Sequence, residues 1–281
     1  MAQTSSTRTG HASSLDILTL IAIAICVYTL ADIFHEGLGH GLAYLLLGGK
    51  VVNISSTACD CVADGLSRSA QRAVAAAGPL MNLGLSILFW ILLRTLRKLE
   101  VSIRYFIWLF MTFNGLVFAG YLAMPTFFGF GDWSEFIQGL SPEGLWRISL
   151  IIIGVILYIG MAYVAVHELE FLQSRIPSER RSRAWTLNLV PYLSGGIAFC
   201  ISGLFNPVGP ELILISVAAA SFGGASGLIW MSPWSARKAP DANTPQSPVA
   251  MKRNWWWIMA GLMALIFLVV VLGPGITFGR Q

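Results

Sequence analysis

Apolar residues in this chain come in blocks of about twenty, and no other feature limits the available folds so strongly. A helix of that length crosses a hydrocarbon core about 30 Å thick, at a rise of about 1.5 Å per residue. Of the 281 residues, 56% are hydrophobic and only 11% are charged. Soluble domains carry about 25% charged residues. The sequence therefore predicts an all-α integral membrane protein.

About seven transmembrane helices are predicted, and the first block is too long for one straight span. It is either one tilted helix or a helix followed by a re-entrant segment. The predicted spans cover residues 16–47, 74–93, 105–124, 146–166, 187–205, 212–231 and 255–272. The chain then divides into a polar disordered tail, a core, additional helices, a Pro-rich cytoplasmic linker, and a last helix with a short tail, at 1–15, 16–140, 141–231, 232–253 and 254–281.

Basic residues predict the orientation of these helices. With a single crossing by the first block, one side of the membrane receives 13 of the 18 Lys and Arg residues. Because cytoplasmic loops carry the excess, we expect a cytoplasmic N-terminus and an external C-terminus. The basic residues lie in separate loops and form no common face, so nothing indicates a nucleic-acid partner.

Four ionisable residues lie within nine positions of the first block: Asp32, His35, Glu36 and His40. Such residues are costly in a membrane and mark functional sites. The string is a variant of the zinc-protease helix H-E-x-x-H, in which two His residues hold the metal and Glu activates water. Here the second His comes one residue late.

That spacing limits the helix geometry with which both His residues could bind one metal. On a regular α-helix, residues five apart differ by about 140° in direction, so His35 and His40 cannot share a metal. A π-bulge would absorb the extra residue, and Gly37 and Gly39 make the backbone adaptable there. An unbroken α-helix would instead leave a buried polar network that joins helices.

Two other groups carry weaker signals. Cys59 and Cys61 form a C-x-C pair that is compatible with a strained disulfide, with metal ligation or with no special role. His167 and Glu168 are predicted to lie at a membrane boundary, at the opposite level from the first cluster.

Three motifs in order resemble the site-2 protease family of intramembrane zinc metalloproteases. They are HEGLGHGLAYLLLGG from His35, AAGPLMN ending at Asn82, and Gly-Asp-Trp around Asp132. The resemblance covers about residues 16–140 and implies a three-helix metalloprotease core. It also implies a short membrane-associated β-hairpin between residues 48 and 72 that pairs with an extended substrate.

The resemblance assigns roles to individual residues. It implies that His35, His40 and Asp132 bind Zn²⁺, that Glu36 is the catalytic base, and that Asn82 helps to position the substrate. We therefore expect a zinc endopeptidase that cleaves a single-span membrane protein within or near the bilayer. The alternatives are a non-catalytic membrane scaffold or binding protein of the same fold and, less favoured, a small transporter. The sequence gives no oligomeric state.

Overall fold

Six long apolar helices form the body of the protein in a computed structural model that describes residues 14–62, 65–207 and 217–279. All six are long and apolar enough to cross a membrane, which is compatible with a multi-pass membrane protein. Two shorter helices lie between them. In chain order the helices are α1 Ile17–Leu46, α2 Arg68–Thr95, α3 Val101–Phe128, α4 Asp132–Ile137, α5 Glu143–Leu172, α6 Pro177–Gly203, α7 Gly227–Arg237 and α8 Trp255–Leu272.

The expected seventh span, residues 212–231, falls partly outside the described residues. In the part that the structure describes, a π-helix at Ala219–Gly223 and a 3₁₀ turn at Gly224–Ser226 precede α7. Helix α7 continues to Arg237, so the helix extends into the region expected to be a linker. The expected disordered tail lies almost entirely outside the described residues.

Helix α3 is the centre of the bundle. In its most apolar stretch 83% of the residues are buried, against 17% for α5 and α8. The outer helices therefore expose apolar side chains such as Ile152, Ile156 and Ile159, which are 53%, 63% and 59% exposed. Hydrocarbon is the solvent that suits such a surface.

Helix α1 runs unbroken from Ile17 to Leu46, which excludes the re-entrant alternative. Its middle, Ile33–Gly41, is π-helical. The backbone N–H of Leu42 donates to the carbonyl of Gly37, five residues earlier. Residues five apart therefore lie about one turn apart here, as the His spacing required.

A small antiparallel sheet follows α1, at the place where the short β-hairpin was expected beside the helices. Strand β1, Lys50–Ile54, pairs with β2, Cys59–Val62, as the expected hairpin. A third strand, β3 at Ile276–Thr277, pairs with the other edge of β1. The sequence alone could not show this pairing, because the two strands lie more than 200 residues apart and β3 is only two residues long.

Buried charged residues hold the segment after α7 against the helix bundle. Glu170 is fully buried at the end of α5 and pairs with Arg180 of α6. Lys238 lies 3.2 Å from the same carboxylate, and the Thr244 hydroxyl donates to it. The predicted Pro-rich linker is therefore packed against the bundle at these points.

Candidate metal centre

The π-helical turn brings the two imidazole rings of α1 together. The ring centroids of His35 and His40 are 4.8 Å apart, and their Nε2 atoms are 3.2 Å apart. Both side chains are buried, with exposed fractions of 9% and 8%. The prediction that the helix bulges between Glu36 and His40 is confirmed.

Asp132 reaches the same point from the first residue of α4. Its Oδ2 lies 3.4 Å from His35 Nε2, and its Oδ1 lies 3.4 Å from His40 Nε2. The preceding Gly131 has φ +76°, a conformation that side chains rarely adopt, and this turn leads the chain into α4. His35, His40 and Asp132 are thus brought together, and we call this set of candidate ligands the ligand triad.

The hydrogen bonds made by the Nδ1 atoms of His35 and His40 decide which tautomer each imidazole adopts. His40 Nδ1 is 2.9 Å from the backbone carbonyl of Val74, which can only accept, so this nitrogen carries the proton. His35 Nδ1 is 2.5 Å from Asn82 Oδ1. The Asn82 amide donates to Asn114, whose own amide donates to the Phe110 carbonyl, and this chain fixes Asn82 Oδ1 as an acceptor. In the neutral form of each ring, His35 and His40 therefore both present an unprotonated Nε2.

With both imidazoles neutral, three acceptor atoms converge here: two Nε2 atoms and a carboxylate oxygen. Asp132 Oδ2 is buried and has no hydrogen-bond partner among the described residues. A carboxylate that faces two imidazole lone pairs favours the binding of a cation.

The separation of the two imidazole nitrogens fits two ligands of a tetrahedral ion. Zinc binds N and O ligands at about 2.0 to 2.2 Å, so two ligands of a tetrahedral site lie about 3.3 Å apart. The Nε2 atoms of His35 and His40 are 3.2 Å apart, and each lies 3.4 Å from a different oxygen of Asp132.

Glu36 offers another possible third ligand, since one of its oxygens lies within 4.8 Å of both His ligand atoms. Its Oε1 is 3.9 Å from His35 Nε2, longer than a tetrahedral edge. The geometry favours Asp132 as the ligand and leaves Glu36 beside the site.

Gly78 of α2 forms the floor of the centre. A Cβ atom there would overlap His40 Nε2 and lie 2.8 Å from His35 Nε2. Gly39 of α1 lies against Gly78, since a Cβ atom at position 39 would be 2.6 Å from the Gly78 Cα. These two glycines let α1 and α2 meet and leave room where the triad atoms converge.

A cavity of about 60 Å³ lies next to the triad, with room for water. Glu36 and Asp32 line it, together with Tyr28 and Thr57. Tyr28 Oη and Asp32 Oδ2 are buried without a hydrogen-bond partner among the described residues, so both can bind water there. Glu36 and His35 of the triad both border this cavity.

Three other groups named in the sequence analysis do not belong to the ligand triad. Asn82 contacts His35, and its expected role toward substrate stays a prediction. Cys59 and Cys61 are free thiols with sulfur atoms 2.7 Å apart. His167 and Glu168 lie at the end of α5, where Glu168 pairs with Arg94.

Comparison of the chain with protein-family models, with curated proteins and with solved structures gives no match.

Proposed function

We propose that this chain is a zinc-dependent intramembrane endopeptidase. The observation that carries the proposal is the ligand triad, in which two Nε2 atoms lie 3.2 Å apart and each lies 3.4 Å from an Asp132 carboxylate oxygen, beside Glu36. A triad of protein ligands leaves a fourth position open, which distinguishes catalytic from structural zinc sites. Zinc supplies a Lewis acid that polarises a carbonyl group and acidifies water.

The chain's own residues supply the proton chemistry. Glu36 accepts a proton from water in the adjacent cavity and passes it to the leaving amine of the cleaved peptide bond. Its carboxylate lies 3.9 Å from His35 Nε2, close enough to act on a molecule held at the triad. Asn82 and the Val74 carbonyl hold the imidazoles in the tautomer that this chemistry needs.

The depth of the centre supports a substrate inside the membrane. His40 lies six residues before the end of α1, about 9 Å at 1.5 Å per residue. The apolar end of the helix, with Leu45 and Leu46 58% and 76% exposed, suits hydrocarbon surroundings. A peptide bond at this level belongs to a membrane-spanning segment.

A helical substrate must unwind before it is cut, because its backbone groups are paired within the helix. Strand β2 forms one edge of the sheet and has no strand beyond it among the described residues. The hairpin packs beside the π-helical turn, with Ile54 and Cys59 next to Gly41. The free edge of β2 is therefore a suitable place for an extended segment of a single-span protein to pair.

Cleavage is tested with the purified protein and detergent-extracted membranes of its own host. New N-termini are identified by mass spectrometry, with and without 1,10-phenanthroline. We expect chelator-sensitive cleavages in or next to the spans of single-span proteins. No such cleavage by a zinc-loaded protein would support the scaffold, and zinc uptake by reconstituted vesicles would support the transporter.

We also propose that the N-terminus is cytoplasmic and the C-terminus external, on the basis of the 13 basic residues on one side. Reporter fusions after Arg183 are expected to read cytoplasmic, and fusions after Asp132 are expected to read external. The reverse pattern would overturn the orientation.

A further inference from the structure

Three arginines meet in a pocket at the end of the bundle remote from the ligand triad. Arg94 and Arg97 come from the end of α2 and the following loop, and Arg104 comes from the start of α3. The pocket measures about 220 Å³, and the end of α5 closes it. We call it the anion pocket.

The anion pocket carries unbalanced positive charge. Its one carboxylate, Glu168, accepts from Arg94 Nε at 2.6 Å and from Trp90 Nε1 at 3.1 Å. Neither Arg97 nor Arg104 forms an ion pair within the residues that the structure describes. Arg104 packs over the Phe171 ring at 3.9 Å, and its buried Nε lacks a hydrogen-bond partner there.

An apolar groove of about 420 Å³ lies between α2, α3 and α5. Ser86 is the one hydroxyl residue in its lining, and its Oγ donates to the Met111 carbonyl. The groove is open beside Gly160, where an added Cβ atom would meet no atom within 4 Å. The groove can therefore hold a hydrocarbon chain.

The groove leads directly into the anion pocket. On α2, Trp90 lines the groove and Arg94, one turn later, lines the pocket. On α5, Val164 and Glu168 repeat this arrangement one turn apart. The hydrogen bond from Trp90 to Glu168 joins the two walls at the junction.

We propose that this combined site binds one anionic phospholipid, with its phosphate on Arg97 and Arg104 and an acyl chain in the groove. A molecule that fills both parts needs an apolar tail and a negative head at the level of the helix ends. A zwitterionic lipid would leave the excess charge unbalanced, and free phosphate would leave the groove empty. Basic pockets between transmembrane helices bind such headgroups in general.

The test is a binding titration of the full-length protein in nonionic detergent, followed by native mass spectrometry and thermal unfolding. The ligands are phosphatidylglycerol, phosphatidylcholine and inorganic phosphate. We expect one phosphatidylglycerol per chain, bound more tightly than phosphatidylcholine. The double variant Arg97→Gln, Arg104→Gln should weaken phosphatidylglycerol binding about thirtyfold, since each arginine near a membrane surface contributes about fivefold. Lys98→Gln, in the same loop but outside the pocket lining, is the control and should bind as the unchanged protein does.

A second pair of variants tests the groove without touching any charge. Gly160→Leu should fill the groove and weaken phosphatidylglycerol binding, whereas Gly144→Leu, also on α5 and also open, should not. Equal binding of phosphatidylglycerol and phosphatidylcholine would overturn the proposal. So would tight binding of inorganic phosphate together with phosphatidylglycerol binding that Gly160→Leu leaves unchanged. If the arginine variants fail to fold, the glycine pair and the comparison of ligands still decide.

Discussion

Gly78→Ala is expected to abolish zinc binding while the helical bundle stays folded. The added methyl group would lie 2.7 Å from His40 Cε1 and 2.8 Å from His35 Nε2, so it occupies the space where the triad atoms converge. The imidazoles cannot retreat without losing their bonds to Val74 and Asn82. Zinc should fall from about one per chain to less than about one tenth, measured by plasma mass spectrometry.

Gly84→Ala is the matched control for this change. Gly84 lies in the same helix, and a Cβ there meets no atom within 4 Å. Its zinc content should equal that of the unchanged protein, and its helix should gain slightly in stability. Size-exclusion chromatography and thermal unfolding show whether both variants fold. Full zinc content in a folded Gly78→Ala variant would contradict the geometry of the centre.

Glu36→Gln should separate metal binding from catalysis. Gln keeps the size of the side chain but cannot accept a proton, and Glu36 lies outside the favoured ligand set. We expect unchanged zinc content and a loss of cleavage of at least about a hundredfold, the usual contribution of a general base. Both quantities are measured on the same preparation, the second as the rate at which new N-termini form.

Glu143→Gln makes the same chemical change at the exposed start of α5, where Glu143 pairs with Arg147. It should leave zinc content and cleavage unchanged. Loss of zinc in Glu36→Gln would mean that Glu36 is itself a ligand. Undiminished cleavage in that variant would exclude it as the base.

The helices and the position of the centre could be predicted from the sequence because their signals are local. Apolar blocks mark the spans, and the spacing of His35 and His40 dictates one specific backbone distortion if both are to bind a metal. That distortion is present as the π-helix Ile33–Gly41. Asp132 could be placed only through the resemblance, because its spacing from the other two residues carries no geometric signal.

The remainder depends on contacts that no local pattern specifies. Val74 contributes a backbone carbonyl to His40, and every residue type has that group. Asn114 lies within an apolar helix, and only the packing of α3 against α2 shows that its amide fixes the orientation of Asn82. The pairing of β3 with β1 joins distant parts of the chain in the same way.

The zinc content of the purified protein, beside that of His35→Ala, tests the central claim most directly. The triad predicts about one zinc per chain in the unchanged protein and less than about one tenth in His35→Ala, because two remaining ligands hold zinc poorly. A folded, unchanged protein that takes up no zinc at micromolar concentration would contradict the account, as would a folded His35→Ala variant that keeps its full zinc content.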